Sequence, residues 1–443
     1  MRRLLFIFSF FSLLVVDGKA QEVETLTLED CLRIGIDNNL SLEGKRKEIQ
    51  KSKYGVSENR SKLLPQITVI AGYNNNFDPP VSVTDGSSYG VPYNITKTLQ
   101  HTANAGLEMQ MPLFNQTLYT SMSIAKVMEE ISRLSYGKAR EDIIMQISKM
   151  YYLGQVTAEQ IVLIKANITR LEELRDITQA FFDNGMSMEV DLKRVNINLE
   201  NLKVQYDNAQ AMMKQQLNML KYIMDYPAEK EFVLTPVNTD SITTVALTGL
   251  SENIYELQLS QSQVQLAEKQ KKIISNGYIP SLSLTGSWRY AAYTDKGYHW
   301  FHSGPSNHWF RSYGLGLTLR IPIFDGLDKT YKIKKAMIDI ENSKLAWENA
   351  RKSLQTQYLN AVNDLMNNQR NFKKQKDNYL LAEDVYTVTS DRYREGIASM
   401  TEVLQDEMQM SEAQNNYISA HYNYRITNLM LLKLTGQIES LVK

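Results

Sequence analysis

Between Pro112 and Pro227, and again from Pro322 to the C-terminus, the chain contains no proline. The remaining prolines crowd two windows, one running from Pro65 to Pro112 and the other from Pro227 to Pro322. A proline inside a helix removes a backbone donor and clashes with the preceding turn, at a cost of about 3 kcal/mol or more. The two proline-free blocks are rich in Leu, Met, Gln, Glu, Lys and Asn, and they predict long helices.

Periodicity points the same way. Leu192, Val195, Leu199, Leu202, Tyr206, Ala209 and Met213 keep a three-four spacing, the seam of a coiled coil. A shift of 211 carries them onto Val403, Asp406, Met410, Ala413, Tyr417, Ala420 and Tyr424, with Asp406 the one charged exception. The same shift carries Gly185 onto Gly396, Asp191 onto Glu402 and Leu220 onto Leu431. A shift of 210 relates Pro112 to Pro322, and one of 215 relates Pro65 to Pro280. The chain therefore reads as two copies of one unit with small loop insertions.

Each copy opens with a shorter helix, about 27–62 and then about 252–276, followed by two strands and a long helical hairpin. In "SLSLTGSW", Leu282, Leu284 and Trp288 alternate with Ser281, Ser283, Thr285 and Ser287. In "LGLTLRIP", Leu315, Leu317, Leu319 and Ile321 alternate with Gly316, Thr318 and Arg320. The first copy repeats this with Ile67, Val69 and Tyr73, then with Leu107, Met109 and Met111 against Glu108 and Gln110. Period two gives each strand one apolar and one polar face. A soluble sandwich strand alternates in the same way, but here only four such strands stand in an otherwise helical chain. Charged Glu108 and Arg320 fall in mid-strand on the polar face, as a barrel lumen would have them. Aromatic residues gather at the loop ends (Tyr73, Phe77, Tyr93, Trp288, Tyr293, Trp300, Trp309), as an interfacial girdle requires.

Four strands cannot close a barrel, and an open edge cannot sit in hydrocarbon with its backbone groups unpaired. The expectation is a barrel shared between chains, twelve strands from three copies. Each copy marks the passage from strand to helix with a motif. Pro112 and Pro322 should end the strand, while Asn115 and Asp325 should cap the helix that follows.

The start, "MRRLLFIFSFFSLLVVDGKAQ", has the basic, apolar and small-residue order of a signal peptide cleaved before Gln21. The organisation expected is a signal peptide 1–20 and two repeats, 21–250 and 251–443. The first repeat has strands near 66–77 and 98–111, a hairpin near 115–225 and a linker 227–250. The second has strands near 281–293 and 312–321 and a hairpin near 325–435. After the signal no apolar stretch is long enough for a spanning helix. Zero formal net charge argues against nucleic acid as a partner. The single cysteine, Cys31, excludes an intramolecular disulfide and reads as core. His299, His302 and His308 lie among aromatics and read as part of the girdle rather than as a metal site. The lysine runs 269–272, 332–335 and 373–376 read as solvated helix faces. No phosphate loop, nucleophile elbow or zinc spacing is present, no cofactor is implied, and nothing reads as catalytic.

Taken together, these residues resemble the TolC-like outer-membrane efflux proteins over about 24–437. The resemblance rests on "LTLEDCLRIGIDNNLSL", "LLPQITVIAGY" and "GYIPSLSLTGSW", on the two "PLFN" and "PIFDG" junctions, and on "FFDNGMSMEVDL" and "RYREGIASMTEVL". It implies a mainly α homotrimer with a twelve-stranded outer-membrane barrel continued by a helical tunnel across the periplasm. It further implies a passive exit duct for drug efflux or type I secretion, docked to a periplasmic adaptor and an inner-membrane transporter of the RND or ABC type. By the same resemblance, Glu402 and Gln405 occupy the periplasmic constriction ring, and Asp191 and Tyr393 a closed-state latch. Ala398 replaces a basic latch residue of better-known members and Gln405 a second ring acid, with Arg394 at hand as a substitute base. The competing reading from another class is a periplasmic coiled-coil scaffold, which has no need of a lipid-facing band.

Overall fold

A computed structural model describes residues 24–85, 87–97, 99–236, 249–294 and 309–442. The expected signal peptide and the histidines at 299, 302 and 308 lie outside the described residues. The chain runs β1 (Glu24–Leu26), α1 (Leu28–Asn38), α2 (Leu40–Ser61), β2 (Gln66–Asn75), β3 (Val81–Asp85), β4 (Tyr93–Lys97) and β5 (His101–Phe114). Then follow α3 (Gln116–Asp183), α4 (Glu189–Met224), β6 (Phe232–Leu234), α5 (Tyr255–Asn276), β7 (Ser281–Thr294) and β8 (Trp309–Arg320). The last elements are α6 (Asp328–Arg394), α7 (Met400–Leu434) and a 3₁₀ turn, Ile438–Val442. The order α2-β2-β5-α3-α4 recurs as α5-β7-β8-α6-α7, so the repeat legible in the sequence is a repeat of structure.

The proline-free blocks become antiparallel hairpins. At 68 residues, α3 is about 100 Å long at 1.5 Å per residue, and α6 at 67 residues matches it. Of the predicted seam, Val195, Leu199, Leu202, Val403, Met410 and Tyr417 are buried. Both hairpins turn with the same bonds, Gly185 N–H to Phe182 O and Met186 N–H to Phe181 O, then Gly396 N–H to Tyr393 O and Ile397 N–H to Arg392 O. Gly185 and Gly396 have φ of 72° and 73°, a left-handed conformation that a Cβ would strain.

The four long strands form one antiparallel sheet in the order β2-β5-β7-β8. Register separates its faces. Thr68, Glu108, Ser287 and Gly314 stand in one row, while Ile67, Met109, Gly286 and Leu315 stand in the next, on the opposite face. Arg320, paired with Ser281, falls on the same polar face as Glu108. The sheet does not close on itself. It ends at β2 and β8, and every residue of β8 is exposed.

Several expectations change. The helix expected over 27–62 is two helices, because Asn39 leaves the helical conformation to cap α2 through its side chain, which accepts from Leu42 N–H. Pro112 does not end β5. The strand continues to Phe114 through a register irregularity after Pro112, a place where a missing N–H is tolerated. Asn115 caps α3, accepting from the N–H groups of Thr117 and Leu118. Asp325 does not cap α6. Gly326 and Leu327, with φ of 67° and 68°, intervene, so Leu327 holds the cap position. From outside the helix, Asp325 still accepts from Lys329 N–H at 3.2 Å. The strands are not limited to four. β3 and β4 form a separate hairpin carrying Tyr93, and β6, inside the expected linker, pairs in parallel with β1.

That parallel pair belongs to a belt around the middle of α3. Ile143, Ile144, Ile147 and Tyr151 are buried against Leu26, Cys31, Leu32, Met224, Phe232, Leu429 and Ile438. Cys31 is fully buried, and burial pushes its thiol up to about 12, so it stays protonated and packs as a small apolar group.

Candidate functional site

The hairpin tips carry the residues for which a gate was predicted. Helix α7 begins with a reciprocal cap. Ser399 Oγ accepts from Glu402 N–H at 3.3 Å, and the Glu402 carboxylate accepts from Ser399 N–H at 3.3 Å. Glu402 and Gln405, three residues apart, are both exposed and share a helix face. In the first repeat the equivalent of Ser399 is Met188, which makes no side-chain cap. Ser399→Ala is therefore expected to cost about 1 kcal/mol and Met188→Ala close to nothing, measured as paired thermal unfolding curves.

The predicted latch pair is not bonded. Tyr393 is buried and its hydroxyl donates to Thr178 Oγ1 at 3.3 Å, while Asp191 pairs with Arg194 at 3.3 Å. Burial pushes the Tyr393 phenol up, the Thr178 bond opposes this, and the nearby Asp191 carboxylate adds to it. A tyrosine closed in by α3 meets the Thr178 hydroxyl, whereas Asp191, in the first turn of α4, has Arg194 one turn away. Arg394 does bridge the hairpins, reaching Glu173 on α3 at 3.3 Å as well as Asp391 on its own helix at 3.3 Å. Arg194 adds a bond from α4 to Thr401 Oγ1 on α7 at 3.4 Å. Ala398 contributes packing to the apolar cluster beneath.

Further along, two polar layers cross the interface between α3 and the second hairpin, and neither was singled out in the sequence. In one, Asn167 Nδ2 donates to Gln414 Oε1 at 2.7 Å, and Arg170 donates to Glu383 on α6 at 3.2 Å. In the other, Tyr417 donates to Glu159 at 3.0 Å, His421 Nδ1 lies 3.4 Å from the same carboxylate, and Arg425 donates to His421 Nε2 at 2.9 Å.

On the sheet, Glu108 meets Arg289 of the neighbouring strand in an ion pair that the sequence reading missed. A cross-strand diagonal from Glu108 to Arg289 on the shared polar face was the signal available. Among the described residues no helix is long and apolar enough to cross a membrane, and no group of His, Cys, Asp or Glu is placed to hold a metal ion.

Residues 34–224 and 240–437 match the family described as outer membrane efflux protein. The chain belongs to that family. Its relatives include the outer membrane protein TolC of Vibrio cholerae, 21% identical over 86% of this chain and 84% of the relative. The toluene efflux pump outer membrane protein TtgC of Pseudomonas putida is 23% identical over 81% of this chain and 75% of the relative. Among solved structures, VceC of Vibrio cholerae covers 92% of this chain and 96% of its own, with a TM-score of 0.73 and 14% identity. The open-state MtrE channel of Neisseria gonorrhoeae covers 92% of this chain and 88% of its own, with a TM-score of 0.74 and 18% identity. As an outer membrane efflux protein, this chain serves as an outer-membrane exit duct with its helical tunnel in the periplasm. Family members act in tripartite systems with an adaptor and an inner-membrane pump, and are typically homotrimers.

Proposed function

We propose that three copies of this chain close one twelve-stranded barrel, and that substrate leaves passively through the bore they share. The observation that carries this is the open sheet. Among the described residues its terminal strands β2 and β8 each have a neighbouring strand on one side only, and a wall immersed in lipid needs both edges paired. A second chain's β2 against β8 continues the sheet with the apolar face to lipid and the face of Glu108, Arg289 and Arg320 to water. The duct docks a periplasmic adaptor and an RND or ABC transporter, and opens when the second hairpin moves against the first. Arg394–Glu173, Arg194–Thr401 and Tyr393–Thr178 are among the bonds that this movement must break.

Glu402 and Gln405 line the periplasmic constriction in this reading. Three Glu402 carboxylates in a narrow wet channel favour cations. A carboxylate about 4 Å from a cation in water contributes about 1 kcal/mol, so Glu402→Gln is expected to lower cation preference about fivefold. Reversal potentials across a salt gradient in planar bilayers measure this. Unchanged selectivity removes Glu402 from the constriction, while a chain that forms no heat-modifiable oligomer and no conductance steps removes the duct of three copies itself.

A further inference from the structure

One buried acid near the hairpin tips has no evident use in the arrangement described. Glu407, on α7, is 5% exposed and sits where the heptad neighbours Val403, Leu404 and Met410 are apolar core. Its Oε1 has no hydrogen-bond partner. The cation that acts on it is Arg170 of α3, whose two terminal nitrogens are committed to Glu383 and Asn167, while its Nε is also buried without a partner. An unpaired donor and an unpaired acceptor of opposite charge thus share one layer. Each alone is costly, because a buried polar group without a partner forfeits its hydration. Both act electrostatically on the same neighbour, the buried Tyr386 phenol: Arg170 lowers it and Glu407 raises it.

We propose that Arg170 is a two-position switch. In the arrangement described it holds Glu383 on α6, and in the displaced, conducting arrangement it holds Glu407 on α7. The inference rests on the reading that the duct opens by movement of the second hairpin against the first. The guanidinium carries five donors in a rigid fork and has one, Nε–H, unused, so it has a donor to offer the second carboxylate. The two carboxylates differ in a way that suits a switch. Glu383 is partly exposed and stays hydrated when released, whereas Glu407 is enclosed and is satisfied only by the guanidinium.

The switch is coupled to protons. Burial pushes the Glu407 carboxyl up, and Arg170 opposes that shift. Arg170 from α3 acts on it directly, and Tyr386 of α6, which it raises, is also acted on by Arg394 of α6, while the α4 members of the same apolar cluster, Val195, Leu199 and Leu202, carry no charge. An enclosed carboxyl without a partner favours the protonated form, and one paired with a guanidinium favours the ionised form. Rising pH therefore favours the Arg170–Glu407 arrangement and opening.

The test is the open probability of the full-length protein in planar bilayers between acidic and neutral pH, for the unchanged chain, Glu407→Gln and Glu383→Gln. The unchanged chain should open more as pH rises above the ordinary carboxylate range. Glu407→Gln should lose that dependence and open at least about fivefold less at neutral pH, the lower end of a typical coupling between two states. Glu383→Gln frees Arg170 and should open more than the unchanged chain, so it remains informative if Glu407→Gln does not fold. A conducting Glu407→Gln protein with the unchanged pH profile overturns the switch and leaves the duct intact, as does a variant altered only in thermal stability.

Discussion

Exchanging Leu171 for aspartate is expected to cost the protein about 4 kcal/mol or more and to abolish the assembly of three copies proposed above. Leu171 is fully buried on α3, in the cluster where Leu174, Val195, Leu199, Val403 and Met410 join the two hairpins. Truncation to alanine removes apolar burial and leaves a cavity in a seam held by two long helices, which costs about 2–5 kcal/mol. Aspartate adds a group that must either ionise in an apolar cluster or spend free energy taking up a proton. The charge nearest in sequence, Arg170, is already committed to Glu383 and Asn167 and points into a polar layer. Thermal unfolding followed by far-UV circular dichroism, with gel migration before and after heating, measures the effect. Melting of the aspartate variant together with the unchanged chain would show that this cluster does not hold the hairpins together.

Glu141→Gln is expected to stabilise the protein above neutral pH and to leave it nearly unchanged at pH 4. Around the belt, three acids each have a base: Asp142 pairs with Lys433 at 2.7 Å, Glu439 with Arg140 at 2.8 Å and Glu256 with Lys138 at 3.4 Å. Glu141 sits among them, 5% exposed, with no ion-pair partner among the described residues. Burial pushes its carboxyl up to about 7, Lys433 opposes this, and Glu439, Asp142 and Glu256 add to it. An acid whose pKa is higher folded than unfolded binds more protons in the folded state, so stability falls as pH rises. The fall begins near the unfolded value of 4.5 and is complete above about 7. With allowance for water at the end of the side chain, the loss is on the order of 2 kcal/mol. Glutamine removes it. Melting temperatures of both proteins at pH 4 and pH 8 check the sign, and an equal difference at the two pH values would rule out titration of Glu141 as the cause.

Much of this architecture was legible because it depends on local period. Alternation along Ser281–Ser287 and three-four spacing along Leu192–Met213 are set by a strand's pleat and a helix's turn, so they survive without knowledge of partners. What escaped depends on pairing across distance. Glu24–Leu26 and Phe232–Leu234 are each too short to show a period, and only their pairing makes them strands. Arg170, Asn167, Gln414 and Glu407 look in sequence like a solvated helix face, and become a buried layer only when α3 meets α7. The junction motifs were right in kind and wrong in detail. Their role depends on whether Gly326 and Leu327 turn the chain before the helix starts, and residue type alone does not decide that. The pattern Ser399-x-x-Glu402 is a readable cap signal, and the glutamate that closes the cap is the same one that matches the ring position.

The belt has a practical consequence for anyone attaching a label. Leu26 lies against Tyr151, and Glu439 against Arg140, so the segments near both ends of the described chain are fastened at the waist of α3 rather than at either mouth of the bore. A fluorophore attached to either segment would sit at the middle of α3, far from the hairpin tips. It would report on the waist and be blind to events at the tips.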